Sequence, residues 1–172
     1  MEGTVYKNKY FSIEEKSFNG KDGGTSIYNY MKVGLTVSIL PVLNDKKIIL
    51  ERQFRHALGK YIYEIPAGHG ETGEDPKTAA ARELEEETGY KAGRVRFMFK
   101  AFVSPGFSTE LLHYFVADNL QKTKTNLDKD EDIEIFEVSF EKALDMIKNN
   151  EIESAMSINS ILFYLKFFEN NK

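Results

Sequence analysis

Short runs of apolar and polar residues dominate the first third of the chain and predict strands. Residues 5–13 and 26–33 are rich in Tyr, Phe, Ile and Val. Between them lies Asn19-Gly20-Lys21-Asp22-Gly23-Gly24, a cluster suited to a tight turn because several of its residues accept positive φ. A second hairpin is expected from residues 35–43 and 48–54 around Asn44-Asp45, and residues 61–65 form a short strand running into Pro66-Ala67-Gly68. The period then changes. Asp75 is a good N-cap, Pro76 suits the first helical position, and Gly89 supplies a stop, so a helix is expected between Asp75 and Gly89. Strands resume over residues 94–102 and 111–117, a polar loop spans 121–132, and a last strand covers 133–138. Two helices close the pattern. One runs over about 141–149; the other is apolar at Ala155, Ile158, Ile161, Leu162, Leu165 and Phe168, one face at helical spacing.

Composition narrows the function. The 172 residues carry 23 basic and 27 acidic side chains, a net of −4, with no global basic excess of the kind that nucleic acid or anionic membrane would require. Cysteine is absent, which removes thiolate catalysis and Cys-ligated zinc and fits a reducing cytoplasm. The first residues contain no apolar block of signal-peptide type, and the longest greasy stretch, 161–168, is too short to span a bilayer. A cytoplasmic protein with a small-molecule substrate is the expectation. Along the chain the charge is uneven. Residues 71–87 hold seven acids and two bases and residues 128–137 six acids and one base, so each segment nets −5 and the remainder is basic.

The first acidic segment has organised chemistry. Glu83, Glu86 and Glu87 stand at i, i+3 and i+4, which projects three carboxylates from one helix face. Like charges at this spacing repel by about 0.2–0.5 kcal/mol per pair, and Arg82 offsets part of that. Gly68 and Gly70 precede the helix and leave room for a ligand near the backbone. Clustered carboxylates suit hard cations such as Mg²⁺ or Mn²⁺, which clamp phosphate oxygens and activate water.

Gly68, five residues, Glu74, seven residues, then Arg82-Glu83-Leu84-Glu85-Glu86-Glu87-Thr88-Gly89-Tyr90 resembles the signature of Nudix hydrolases at every specified position. The resemblance implies an α/β/α sandwich with a mixed β-sheet over residues 34–172, preceded by N-terminal antiparallel strands over residues 1–33. It also implies hydrolysis of a nucleoside diphosphate linked to another moiety. By the same resemblance Glu83 and Glu87 are direct metal ligands, Glu86 joins them directly or through water, and the Ala67 carbonyl adds a contact. Glu74 and Arg82 orient the helix and loop.

Substrate choice rests on residues outside the signature. Ser104-Pro105-Gly106-Phe107 places Pro105 fifteen residues beyond Tyr90, an offset that resembles the ADP-ribose pyrophosphatase branch. In that branch an acid at the place of Glu110 bonds a terminal ribose. Glu51-Arg52-Gln53-Phe54-Arg55 resembles a segment whose arginine reaches the pyrophosphate, with Arg55 first and Arg52 next. Glu64 is expected at the adenine or at a neighbouring subunit. With no Trp in the chain, Tyr28, Tyr30, Phe11 or Phe18 must supply any adenine platform. Residues 1–33 are expected to reach across a homodimer. The acidic run 128–132 resembles a loop that closes over substrate, and Glu131 is its candidate to activate water or hold a further metal, with Asp130 able to substitute. The expectation is Mg²⁺-dependent cleavage of ADP-ribose to AMP and ribose 5-phosphate. The alternatives are a nucleotide-sugar or dinucleotide pyrophosphatase, or a catalytically silent ligand-binding module.

Overall fold

The strand Thr36–Pro41 is buried at all six positions, and the molecule is organised around it. The computed structural model describes residues 3–44, 46–127 and 132–168. In chain order the strands are β1 (Gly3–Lys7), β2 (Phe11–Asn19), β3 (Thr25–Val33), β4 (Thr36–Pro41), β5 (Lys47–Arg55), β6 (Lys60–Glu64) and β7 (Ala67–His69). After helix α1 (Pro76–Thr88) come β8 (Tyr90–Lys91), β9 (Arg94–Phe102), β10 (Leu111–Asp118), β11 (Gln121–Lys122) and β12 (Ile133–Ser139). Helices α2 (Phe140–Lys148) and α3 (Ala155–Phe163) follow, and a π-helical turn, Tyr164–Phe168, extends α3.

The central sheet has the order β7-β4-β10-β9; β4 and β10 run parallel and the outer pairings are antiparallel, so the sheet is mixed. Strand alternation gives it two apolar faces. Val37, Ile39, Phe115 and Ala117 pack under α1 against Ala79, Ala80 and Leu84. Leu40, Leu112, Tyr114 and Val116 face a second core shared with Ile48, Leu50, Met146 and Ile161. A second sheet, β12-β5-β6, and helices α2 and α3 close that side. The result is the expected α/β/α sandwich with a mixed sheet, and the N-terminal strands form a separate antiparallel sheet, β1-β2-β3.

Helix α1 keeps its predicted limits. The Asp75 carboxylate accepts from the Thr78 amide at 3.1 Å, Pro76 opens the helix, and Gly89 leaves it at φ 67, where its amide donates to the Glu85 carbonyl at 3.0 Å. That left-handed position costs a non-glycine residue about 1 kcal/mol or more, which is why the chain can turn there at once.

Four expectations change. The strand expected over 5–13 is two strands, because Asn8 turns the chain: its side-chain oxygen accepts from the amides of Tyr10 and Phe11 at 2.8 and 2.9 Å. The hairpin expected from 35–43 and 48–54 closes through a single Val42–Ile48 bridge. Its arms then part, since β4 is already paired on both edges by β7 and β10 while β5 pairs with β6 and β12. The polar segment from residue 121 begins as a strand, β11, antiparallel to β8. In α3, Leu162 is exposed although it falls in the apolar series, while Ile161 is fully buried.

Candidate active site

Helix α1, with β7 and the loop between them, frames one cavity of about 1000 Å³. Glu83, Glu86 and Glu87 line it from the helix, Ala67 and Gly68 from β7, and Arg55 from the end of β5. The predicted single face is therefore real in space: the three carboxylates open onto the same volume. Gly68 lets the Glu83 carboxylate lie against the backbone, and a Cβ built there would have to displace that carboxylate. Glu87 is 97% shielded, at 3% relative exposure, and accepts a hydrogen bond from the Ala67 amide at 3.0 Å, tying the helix to β7.

Arg82 braces this arrangement. Its Nε and Nη2 each donate to the Glu74 carboxylate at 3.2 Å, and Nη2 also donates to the His69 carbonyl at 3.0 Å. Nη1 lies 2.9 Å from both Glu83 Oε1 and Glu86 Oε2. The planar fork allows four partners at once, which an ammonium would not reproduce. The bond from Arg82, together with the Glu71 amide at 2.9 Å, holds the Glu74 carboxyl below the ordinary carboxylate range. The Glu74 hydrogen bond, opposed by desolvation, pushes the Arg82 guanidinium further up.

A second arginine is set differently. Burial disfavours the charge of Arg55, yet Glu64, Glu51 and Glu87 outweigh it and raise its pKa. Its Nε donates to Glu64 Oε2 at 2.5 Å, and Glu64 is buried beneath it. Cross-strand register explains the set: Glu51 pairs with Glu64 between β5 and β6, and Glu51 and Arg55 lie on the same face of β5. Arg52 falls on the other face. It pairs with Glu134 at 3.2 Å and lies over the Tyr61 ring at 4.1 Å, away from the cavity lining.

A smaller chamber of about 440 Å³ shares Arg55 and Gly68 with this cavity and is also lined by Glu64, Glu110, Thr36 and Leu112. Burial raises the Glu110 carboxyl above its ordinary value, and Thr36 opposes that shift with a hydrogen bond. Pro105 and Gly106 lie outside both linings. They face the N-terminal sheet, where the Tyr28 hydroxyl donates to the Gly106 carbonyl and the Met31 amide to the Phe107 carbonyl. Of the four aromatics considered as platforms, Phe11 lines the large cavity; Tyr28, Tyr30 and Phe18 do not.

Sequence reasoning passed over several residues that the fold brings to the site. Lys9 and Tyr10 reach the cavity through the Asn8 turn, and Tyr10 packs against His69 with ring centroids 5.2 Å apart. Burial lowers the pKa of His69. Gln53 arrives by the same strand alternation as Arg55, a signal that was legible, and Asn126 arrives where its amide bonds the Glu86 carbonyl at 2.9 Å. Glu131 lies outside the described residues. Its neighbour Asp132 accepts from the Tyr61 hydroxyl at 2.5 Å, which anchors the near end of the acidic run on β6.

Among the described residues no three carboxylate or imidazole groups converge into a ready-made metal cage. The donor chemistry nonetheless fits a hard divalent cation. Glu83, Glu86, Glu87 and the Ala67 backbone offer only oxygen ligands around an open volume, and a Mg²⁺-like ion completes its shell with substrate phosphates and water.

The family model described as NUDIX domain matches residues 32–157. The chain is 36% identical over 161 residues to an ADP-ribose pyrophosphatase of Bacillus subtilis (strain 168), covering 92% of this chain and 87% of that one. It is 38% identical over 176 aligned residues to a GDP-mannose pyrophosphatase of Shigella flexneri, covering 94% and 91%. A methanol dehydrogenase activator of Bacillus methanolicus is 32% identical over 161 residues, covering 92% and 87%. Among solved structures, one described as an ADP compounds hydrolase superposes with a TM-score of 0.84 at 21% identity, over 97% of this chain and 91% of that one, a likeness of fold.

Proposed function

The chain belongs to the Nudix family, and on that premise we propose that it is a Mg²⁺-dependent ADP-ribose pyrophosphatase releasing AMP and ribose 5-phosphate. That it is a hydrolase acting on a diphosphate linkage follows from the family and its relatives, as does dependence on a divalent metal. The observation that carries the proposal is that two neighbouring cavities share Arg55 and Gly68 in their linings, one with the carboxylates of α1 and the other with Glu110.

Glu83, Glu86 and Glu87, with the Ala67 carbonyl, would hold the cation. When bound it neutralises diphosphate charge and acidifies the attacking water. The protein's own groups do the rest. Among the described residues the terminal nitrogens of Arg55 carry no bond, so they are available to grip diphosphate oxygens while Glu64 fixes the guanidinium from below. Arg82 keeps Glu83 and Glu86 in place against mutual repulsion. Glu110 and Thr36 offer acceptors to sugar hydroxyls in the smaller chamber. Phe11 and Tyr10 provide aromatic surface at the mouth of the larger one. Glu131, outside the described residues, keeps the role that the resemblance implies, activating the attacking water or holding a further metal.

The protein is read as a homodimer. The N-terminal sheet exposes Val5, Tyr6, Ile27 and Tyr28, and Tyr28 with Pro105 and Gly106 would then serve the partner's site. Sedimentation should give twice 19.7 kDa. No helix among the described residues is long and apolar enough to cross a membrane, and the cysteine-free sequence supports action in the cytoplasm.

A second reading, a nucleotide-sugar pyrophosphatase, is favoured by the relatives described as GDP-mannose pyrophosphatases at 38% identity. A panel of ADP-ribose, GDP-mannose and diadenosine polyphosphates with Mg²⁺, read as kcat/KM, separates the two. Highest turnover of ADP-ribose is expected; faster turnover of GDP-mannose overturns the substrate assignment. Binding of ADP-ribose with no metal-dependent AMP release would leave only the binding-module reading.

A further inference from the structure

Strand β7 directs successive residues to opposite faces of the central sheet. Gly68 pairs with Val37, whose side chain packs under α1, and Gly68 itself lies against the Glu83 carboxylate. Alternation puts His69 on the other face, directly across from Thr36 of β4. Residues paired in this way carry Cβ atoms about 4.5–5.5 Å apart. Thr36 and Glu110, which share a hydrogen bond, both line the smaller chamber. His69 lines that chamber and the larger cavity as well. Among the described residues Arg55, Ala57, Ala67, Gly68 and His69 line both, so the shared boundary offers two polar side chains, the Arg55 guanidinium and the His69 imidazole.

The imidazole stands on a fixed base. The His69 carbonyl accepts from Arg82 Nη2 at 3.0 Å, and the following amide, that of Gly70, donates to the Leu35 carbonyl at 2.9 Å. Tyr10 packs on the ring with centroids 5.2 Å apart and 36° between planes. That contact is one of packing. Neither ring nitrogen of His69 is hydrogen-bonded among the described residues, although the ring sits between two polar cavities.

We propose that His69 is a specificity-determining residue whose imidazole hydrogen-bonds a hydroxyl of the terminal ribose, while Tyr10 fixes the ring plane. On the proposed ADP-ribose activity, the diphosphate lies at Arg55 and the group attached to it enters the smaller chamber beside His69. Thr36 and Glu110 then take neighbouring hydroxyls of the same sugar. The three side chains complement one another. An ionised carboxylate only accepts, whereas an imidazole always donates and in its neutral form also accepts, which matches the donor and acceptor of a sugar hydroxyl.

The test uses two non-hydrolysable ligands, the α,β-methylene analogues of ADP-ribose and of ADP, which differ by the terminal ribose. Titration calorimetry on the full chain with Mg²⁺ gives both Kd values for the parent, His69→Phe and His69→Gln. His69→Phe keeps a ring for Tyr10 and should weaken the ribosylated analogue about fivefold, with the shorter analogue within twofold of the parent. His69→Leu takes its place if that variant does not fold. His69→Gln restores a donor and an acceptor and should recover part of the loss. An unchanged Kd for the ribosylated analogue in His69→Phe overturns the proposal. Equal losses for both analogues overturn it too, since the ribose would then not be what His69 reads, and so does a His69→Gln no better than His69→Phe. A parent that binds neither analogue overturns the ADP-ribose reading itself, a failure visible before any variant is compared.

Discussion

Arg82 and Arg55 both stand among glutamates at the edge of one cavity, yet they are satisfied to different degrees. Arg82 lies in contact with Glu74, Glu83, Glu86 and the His69 carbonyl, on its own helix, the loop leading into it and the end of β7. Arg55 commits Nε to Glu64, feels the charges of Glu51 and Glu87, and lines the cavity. On the proposed function, the difference separates a brace from a ligand-binding group. A saturated guanidinium holds other side chains in place; an unsaturated one waits for an oxyanion. Substitutions at the two positions should therefore fail in different ways.

Between the two arginines, the larger effect is expected at the brace. Arg82→Lys loses the fork that spans four partners, so kcat should fall about 100-fold as Glu83 and Glu86 lose their orientation. Stability should drop by about 2 kcal/mol, which for a chain of this size is about 4–8 °C in Tm. Steady-state kinetics with calorimetry reads both; an unchanged Tm would mean that Arg82 is no brace. At the other arginine, Arg55→Lys should raise KM for the diphosphate substrate about tenfold and leave Tm nearly unchanged. Glu64→Gln should move KM the same way by about threefold, since glutamine still accepts the Nε bond without its charge. A loss confined to kcat in either variant would erase the distinction between the two arginines.

The smallest effect is a pH dependence on the brace. The Glu74 carboxyl is held below its ordinary value of 4.5 by Arg82, so its contribution to stability is present above that value and is lost as pH falls through its lower folded value. Parent and Glu74→Gln should therefore differ in Tm by a few degrees at pH 7, from about 1 kcal/mol, and converge only once pH has fallen below the lowered folded value. A gap that stays constant from pH 7 to pH 3 would remove Arg82–Glu74 pairing as its source.

The same contrast explains what could be read from the chain alone. Helix α1 was legible from cap to stop because its determinants are local: Asp75, Pro76 and Gly89 act within a turn of where they stand, and i, i+3, i+4 geometry fixes which glutamates share a face. Strand alternation separates Arg55 from Arg52 once the limits of β5 are known. The placement of Glu64 beneath Arg55 depends on the β5–β6 register, and that of Tyr10 over His69 on a turn made by Asn8 inside what reads as one continuous strand. Long-range pairing is chosen by the whole core, as the parting of β4 and β5 into different sheets illustrates. No local pattern encodes it.

The central claim is that the carboxylates of α1 form the reaction centre, and Glu87→Gln tests it most directly. Glutamine retains an acceptor for the Ala67 amide, so the fold should stay intact by circular dichroism and thermal melting. The measurement is Mg²⁺-dependent AMP release from ADP-ribose by the folded variant. A loss of at least 100-fold in kcat, with Tm within a few degrees of the parent, is the predicted result. Turnover within a few fold of the parent would contradict the account, because the group buried deepest beside Ala67 and Gly68 would then have no part in the chemistry.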